Sequence, residues 1–185
     1  MAKEVTFGRK DAVERIRTSD AKLMASGHDY FFQRGIKEYD RELGIESERI
    51  VTALIEKHGM VNVLDVGCGA GNYPLELEQA FPGKVTGFGI SLSEYTHQLR
   101  NYHVGDAAKM PYAADFFHHI VSLDALDLDP RPLDTLKETI RVLSRGCKAF
   151  LRLKNGDGFW ERHNQEIREM IPATYANGKL VVQKL

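Results

Sequence analysis

Three glycines at alternate positions are the residues of this chain best suited to hold a ligand. Gly67, Gly69 and Gly71 follow a short apolar stretch that contains Asp65, and a run of helix-compatible residues comes after them. A strand, a glycine turn and the first turn of a helix bring backbone N–H groups close to a nucleotide-like ligand. Glycine suits the turn because it accepts positive φ and has no Cβ to block a close approach. The segment therefore predicts a ligand loop; a glycine-rich turn without a ligand is the alternative.

The spacing of the glycines distinguishes two kinds of nucleotide site. A dinucleotide-binding loop has glycine at its first, third and sixth places. Here the sixth place is Asn72, and Gly71 stands at the fifth. The resulting G-x-G-x-G pattern disfavours a dinucleotide. With Asp65 two residues before the first glycine, it resembles the first motif of the class I S-adenosylmethionine-dependent methyltransferases.

Three later segments resemble the same family, in the same order and spacing. They are Gly105-Asp106-Ala107-Ala108-Lys109-Met110-Pro111-Tyr112, the apolar run 120–126, and the helix-and-turn pattern 136–146. The resemblance covers residues 61–155 and is nearest to the small methyltransferases related to ubiquinone and menaquinone methylases. It implies an EC 2.1.1 enzyme with S-adenosylmethionine as cofactor and S-adenosylhomocysteine as product.

The resemblance also implies which residues hold the cofactor. The glycine loop would run beneath the methionine part, with Asp65 fixing the loop or the ammonium group. Asp106 would accept from the adenine amino group and Ala107 would pack on the ring, although a turn-forming role for Asp106 stays open. The implied cofactor-binding residues are Asp65, Gly67, Cys68, Gly69, Gly71, Gly89, Ser91, Asp106, Ala107 and Leu123.

Gly89 departs from the family pattern. The family's second strand normally ends in an acid that grips both ribose hydroxyls, and glycine offers no side chain for this task. Ser91 or Glu94, from the following turn, could replace it. Water or a weakened site is the other interpretation. If the ribose still lies here, Gly89→Asp is expected to tighten cofactor binding.

Methyl transfer needs little acid–base equipment, because positioning the two reactants supplies much of the acceleration. A phenol, amine or hydroxyl acceptor is helped by a base that removes its proton. Asp124 and Asp127 follow the predicted fourth strand and are the candidate catalytic residues. A solvated loop before Pro130 is the competing interpretation of these carboxylates.

Composition narrows the classes of function. The 185 residues are 43% hydrophobic and 28% charged, with a net charge of -1, which is ordinary for one soluble domain. This charge does not favour a nucleic-acid binder. Neither a signal peptide nor an apolar run of about 20 residues is evident, so no membrane span and a cytoplasmic location are expected. Cys68 and Cys147 are isolated, and the adjacent His118 and His119 would point to opposite faces of a strand, so no metal site is expected.

The elements that must position these residues alternate between strand and helix. Residues 59–155 read as βα units, which predict a Rossmann-like, doubly wound and mainly parallel sheet. Residues 156–185 add a helix and a hairpin around Asn177-Gly178, which predicts an antiparallel edge. The whole chain is interpreted as one domain.

Residues 1–58 are interpreted as an N-terminal helical cap or lid. Segments 11–25 and 47–58 have helical apolar spacing, and the aromatic residues 30–32 and Tyr39 lie between them. These aromatic residues could pack into the core, or they could form a lid that binds substrate. The sequence leaves both open.

Three functions compete at this point. A small-molecule methyltransferase is favoured. A compact RNA 2′-O-methyltransferase is suggested by Asp124 with Arg152 and Lys154, but the neutral charge opposes it. A non-catalytic binding or regulatory module with the same fold is suggested by Gly89. The sequence names neither the acceptor nor the oligomeric state.

Overall fold

The computed structural model describes residues 34–92 and 98–185. Five α-helices lie within these ranges: α1 Ile36–Leu43, α2 Ser47–His58, α3 Asn72–Ala80, α4 Pro132–Val142 and α5 Gly156–Met170. The strands are β1 Val61–Val66, β2 Val85–Ser91, β3 Asn101–Val104, β4 Phe117–Leu123, β5 Leu143–Arg152, β6 Ala173–Ala176 and β7 Lys179–Gln183. Short 3-10 turns occupy Ala107–Lys109 and Leu126–Leu128.

The seven strands form one sheet in the order β3-β2-β1-β4-β5-β7-β6. The first five strands of this order run parallel, while β7 is antiparallel to both of its neighbours. The predicted fold class, a mainly parallel doubly wound sheet with an antiparallel hairpin, is therefore confirmed. Strand order reverses between β1 and β4. Ligands of open α/β sheets bind in the crevice at the carboxyl ends of such a strand pair.

Alternation along the strands builds a core on each face of the sheet. Val61 and Val63 of β1 pack with α1, α2 and α3, whereas Leu64 and Val66 pack with α4 and α5. Asp65 shares the face of Val61 and Val63, because side chains two residues apart point the same way. The only carboxylate of β1 thus lies under the N-terminal helices.

Several elements differ in detail from the sequence prediction. β5 starts at Leu143, directly after α4, and not at residue 148. Gly146 lies inside this strand with φ 75°, where its N–H donates to the Lys184 carbonyl at 2.6 Å, so it does not end a helix. The turn of the predicted hairpin is confirmed by positive φ at Asn177 and Gly178.

Part of the sequence prediction falls outside the described residues. This applies to the helix at 11–25, the aromatic residues 30–32, Glu94 and most of the helix at 93–100. The predicted helix at residues 47–58 is confirmed as α2. Helix α1 was not anticipated by the sequence reasoning.

Candidate cofactor and acceptor site

The glycine loop joins β1 to α3 at the strand-order reversal. Gly67 and Gly71 have φ of 79° and 77°, and Gly71 is the N-cap of α3. A Cβ on Gly67 would overlap the Cβ of Ala125, which follows β4. The N–H groups of Gly67 and Cys68 both donate to the Ile90 carbonyl, at 2.8 and 3.2 Å. Glycine is thus required by the left-handed backbone, and at Gly67 by the approach of the β4 loop as well.

Asp65 is fully buried at the base of this loop. The Tyr39 hydroxyl donates to Asp65 Oδ2 at 2.6 Å, while Oδ1 is buried and has no hydrogen-bond partner within the described residues. Burial raises the pKa of the Asp65 carboxyl to about 7, against the opposing effects of the Tyr39 hydrogen bond and the Arg34 charge. An orphaned buried acceptor requires an explanation, and a ligand N–H group is one.

The position of the missing acid is filled by this chain's own side chains. Gly89 pairs with Asp65 on one side and with Tyr102 on the other. A Cβ on Gly89 would lie 2.6 Å from Cys68 Sγ and 3.1 Å from Leu99 Cδ2. Since a Cβ at residue 89 would meet packed atoms, the structure argues against the expectation that Gly89→Asp tightens binding.

The glycine loop is covered on the same side. The Tyr102 hydroxyl donates to the Gly69 carbonyl at 2.8 Å. A Cβ on Gly71 would lie 3.1 Å from Leu99 Cδ2 and 3.6 Å from Tyr102 Cδ2. Ser91, the predicted substitute for the acid, is buried at the end of β2. Hence Leu99 and Tyr102 border the space next to Gly89.

Asp106 follows β3 and is engaged within the chain. Its Oδ1 accepts from the Ala108 N–H at 2.9 Å, which caps the 3-10 turn that starts at Ala107. Its Oδ2 accepts from Arg131 at 2.7 Å. The turn-forming role is thus present, and an adenine amino group would share Asp106 with Arg131.

Asp124 stands directly after β4, with φ 56°. Its Oδ2 accepts from both Arg34 at 3.3 Å and Arg152 at 3.2 Å, and Arg152 also pairs with Glu42 at 2.8 Å. Asp124 Oδ1 is buried and has no hydrogen-bond partner within the described residues. The interpretation of Asp124 as part of a solvated loop is therefore wrong: the side chain belongs to an ion-pair cluster that joins α1, β4 and β5.

Asp127 is the other candidate catalytic residue. Its Oδ2 accepts from the Asn155 N–H at 2.6 Å, which ties the loop after β4 to the start of α5. Its Oδ1 is buried and unpartnered among the residues that the structure describes. Leu123, predicted to contact the cofactor, packs with Val121 in the core on the α1–α3 face. One oxygen of each aspartate is therefore buried without a hydrogen-bond partner among the described residues.

The two histidines of β4 form hydrogen bonds on opposite faces of the strand. His119 is fully buried, its Nε2 lies 2.7 Å from the Tyr73 hydroxyl, and burial lowers its pKa to about 4. His118 Nδ1, on the other side, accepts from the Asn62 N–H at 3.1 Å. Within residues 34–92 and 98–185, no group of His, Cys, Asp or Glu could hold a metal ion. In the same ranges no helix is long and apolar enough to cross a membrane.

Several residues of the site were missed by the sequence reasoning. These are Arg34, Tyr39, Glu42, Tyr102 and Arg131 as partners of the aspartates and of the loop. The sequence reasoning did name Arg152 together with Asp124, and the structure pairs the two. Tyr39 carried one usable signal, because Tyr39 and Leu43 are apolar and four residues apart, as on one face of a helix. Arg34 and Arg131 carried no sequence signal that identifies their partners.

The site fits the expected cofactor on one side and departs from it on the other. The glycine loop, with no room for a Cβ at Gly67, and the orphaned Oδ1 of Asp65 suit the methionine part with its ammonium group. At Gly89 the chain has no acid for a ribose, and Cys68 with Leu99 fills the place of one. The residues of this site therefore suit the methionine part of the cofactor and not its ribose.

Comparison with known proteins adds a family and several relatives. The family model described as a methyltransferase domain matches residues 64–151. Squalene methyltransferase 2 of Botryococcus braunii is 30% identical over 151 residues, which cover 72% of this chain and 38% of that protein. Demethylmenaquinone methyltransferase of Staphylococcus aureus is 32% identical over 133 residues, 62% of this chain and 55% of that protein. The chain thus spans about half or less of these two relatives.

Solved structures share the fold at low sequence identity. The plantazolicin methyltransferase BpumL, solved in complex with a pentazolic desmethylPZN analogue and S-adenosylhomocysteine, has a TM-score of 0.57 at 19% identity. The alignment covers 84% of this chain and 62% of that one. A Methanococcus maripaludis protein described as an S-adenosyl-L-methionine-dependent methyltransferase has a TM-score of 0.55 at 14% identity, covering 100% and 96% of the two chains.

Proposed function

This chain belongs to the class I S-adenosylmethionine-dependent methyltransferase family, and we propose that it methylates a small molecule with that cofactor. The names of the curated relatives, squalene and demethylmenaquinone methyltransferases, support a small acceptor. The net charge of -1 supports the same choice over RNA. The acceptor itself is a matter for experiment.

The observation that carries this proposal is the pairing of the glycine loop with Asp65. When bound, the cofactor supplies an electrophilic methyl group on a sulfonium centre. The loop between Gly67 and Gly71 would hold the methionine part by close backbone approach, and the unpaired Oδ1 of Asp65 would accept from its ammonium group. Asp106 contributes at the adenine end, alongside Arg131.

Removal of the acceptor's proton is assigned to the loop after β4. Asp127 Oδ1 is the preferred base, because its other oxygen is held by a backbone N–H and no cation of the described residues pairs with it within 4 Å. Asp124 Oδ2 is shared by Arg34 and Arg152, so Asp124 orients the site. Both aspartates lie at the crevice where acceptors of such sheets bind.

The base assignment predicts different kinetics for two variants. Asp127→Asn should lower the turnover rate by about 10²-fold or more, with cofactor affinity unchanged. Asp129→Asn is the matched control, because Asp129 lies in the same loop but bonds Arg131 and Thr135. The rate of S-adenosylhomocysteine release, with the acceptor that gives the highest rate in a panel of small molecules, measures both. Equal rates for the two variants would remove Asp127 from the role.

Calorimetric titration with S-adenosylmethionine and, separately, S-adenosylhomocysteine tests the proposal itself. Binding of both at micromolar Kd, about -8 kcal/mol, is expected. Absence of heat with either ligand, for protein that unfolds cooperatively, would reject the enzymatic assignment.

A second function is favoured by one observation. Cys68 and Leu99 fill the space in front of Gly89, as in a chain that keeps the fold and uses it for binding or regulation without catalysis. Under this alternative the chain binds neither form of the cofactor. The same titration therefore separates the two functions.

A further inference from the structure

We propose that Tyr39 of α1 is a positioning residue of the cofactor site, which holds Asp65 charged and oriented toward the cofactor's ammonium group. The inference rests on the proposed function. The Tyr39 hydroxyl donates to Asp65 Oδ2 at 2.6 Å, within the range of a charge-assisted O–H···O⁻ bond. Tyr39 is 4% exposed and Asp65 is 0% exposed, so water does not compete with the bond.

The ring of Tyr39 is itself held by a buried cluster. It stacks on Tyr73, with the ring centroids 4.4 Å apart and the planes at 23°. The Tyr73 hydroxyl lies 2.9 Å from Ser47 Oγ and 2.7 Å from His119 Nε2. Tyr39 therefore meets Asp65 from a fixed direction, because helix α3 and strand β4 fix its neighbour.

Only one set of hydrogen-bond directions satisfies the donors and acceptors of this cluster. Ser47 Oγ donates to Asp40 Oδ1, so it accepts from Tyr73, and Tyr73 in turn accepts from His119 Nε2–H. His119 Nδ1 is then a bare acceptor, which agrees with its lack of a partner within the described residues. The chain of hydrogen bonds ends at Asp40 and leaves the Tyr39 proton to Asp65 alone.

The hydrogen bond from Tyr39 affects the pKa of Asp65, and this pKa can be measured. Burial raises the Asp65 pKa to about 7, and the Tyr39 hydrogen bond and the Arg34 charge hold it down. The other titratable groups that sense Asp65 are the Cys68 thiol and the Tyr73 hydroxyl, both with pKa raised mainly by burial. An ammonium group binds the ionised carboxylate, so cofactor affinity should fall as pH drops through the pKa of Asp65.

Removing the hydroxyl should move this pH dependence without removing the site. In Tyr39→Phe the carboxylate loses a donor, so its pKa rises by about one to two units, the size expected for one hydrogen bond to a charged group. The midpoint of cofactor affinity against pH moves upward by the same amount. Above the new midpoint the variant should recover affinity close to that of the wild type.

Tyr73→Phe is the matched control. It removes a hydroxyl from the same buried stack, but this hydroxyl bonds Ser47 and His119 and not Asp65. Its loss should lower stability and leave the pH midpoint in place. Asp65→Asn is the second reference, since it should abolish the pH dependence altogether.

The experiment is calorimetric titration with S-adenosylhomocysteine from about pH 5.5 to about pH 10, so that the expected midpoint of Tyr39→Phe falls inside the range, for wild type, Tyr39→Phe, Tyr73→Phe and Asp65→Asn. The ligand's own amine titrates near pH 8. Ratios of variant to wild-type affinity cancel this effect. Carbon-detected NMR titration of the Asp65 carboxyl, in protein without ligand, supplies a readout that does not depend on binding.

The outcomes separate the inference from the function on which it rests. An upward shift in Tyr39→Phe alone, in both measurements, supports it. Superimposed wild-type and Tyr39→Phe profiles, or an equal shift in Tyr73→Phe, overturn it while cofactor binding stands. Absence of binding by the wild type overturns the function, and the NMR titration still reports whether Tyr39 sets the Asp65 pKa. If Tyr39→Phe does not fold, 3-fluorotyrosine at residue 39, a stronger donor, should shift the midpoint downward.

Discussion

Replacing Gly89 by aspartate is expected to destabilise the fold and to leave cofactor binding no tighter. The new Cβ would stand 2.6 Å from Cys68 Sγ and 3.1 Å from Leu99 Cδ2. The new carboxylate would also lie beside Asp65, which pairs with residue 89 across β1 and β2. Like charges on paired residues of neighbouring strands repel each other.

The magnitude follows from the overlap. Non-bonded heavy atoms are in best contact at about 3.5–4.0 Å, so the contact with Cys68 is short by roughly 1 Å. Overpacking of this kind costs about 1–3 kcal/mol. For a chain of this size each kcal/mol lowers Tm by about 2–4 °C. A loss of between about 2 and 12 °C is therefore expected.

Thermal unfolding and calorimetric titration with S-adenosylhomocysteine measure the two effects. The double variant Gly89→Asp with Cys68→Ala removes the sulfur atom and should recover part of the lost stability. Gly158→Asp is the matched control, because a Cβ there meets only Arg162 Nη1, at 3.6 Å. It should unfold at nearly the wild-type temperature.

One result would refute this reasoning. A Gly89→Asp variant that is as stable as the wild type and binds the ligand more tightly requires open space in front of Gly89. The ribose would then lie there, as the family pattern implies, and the packing of Cys68 and Leu99 would not limit the site. A stable variant with unchanged affinity would refute only the steric part.

Two further predictions concern the loop and the adenine end. Gly67→Ala should lower cofactor affinity at least tenfold, because its Cβ overlaps Ala125. The control Gly59→Ala, with the same φ of 79° and no neighbour within 4 Å, should strain the backbone without affecting binding. Calorimetric titration of both variants checks this prediction, and equal affinities would contradict it. Asp106→Ala should weaken S-adenosylhomocysteine binding by about 1–3 kcal/mol, since a buried donor of the ligand loses its acceptor. Unchanged affinity would mean that Asp106 bonds groups of this chain, such as Arg131 and the Ala108 N–H, and not the cofactor.

Helix α1 links the two acids of the crevice. Tyr39 contacts Asp65 near the end of β1, and Arg34, just before the helix, contacts Asp124 after β4. Together with the ion pair between Glu42 of α1 and Arg152 of β5, one buried hydrogen bond and two ion pairs join this segment to the carboxyl ends of the strands.

The sequence predicted well what depends on local periodicity and on special backbone conformations. The helix at residues 47–58 was found because apolar residues recur at helical spacing, and it is confirmed as α2. The hairpin at Asn177 and the glycine loop were found because only a few residue types accept positive φ. Alternating strand and helix signals also sufficed for the parallel sheet, since short connections and right-handed crossovers leave few topologies.

The contacts of the site depended on how distant segments meet. Tyr39 and Asp65 are separated by 26 residues, and Arg34 and Asp124 by 90. Side chains so far apart in the sequence come into contact only after the sheet has formed and the helices have packed on it. The same holds for Cys68, which the sequence placed in the ligand loop and the packing turned toward Gly89.

By itself, therefore, the sequence determined the resemblance to the methyltransferase family, the fold class and the position of the glycine loop, because these follow from local pattern and from residues that accept unusual φ. The tertiary structure alone decided which oxygen of each aspartate is engaged and what fills the place of the missing acid. The physical reason is that hydrogen bonding and packing are set by distances between chain segments, and these distances exist only once the sheet has formed.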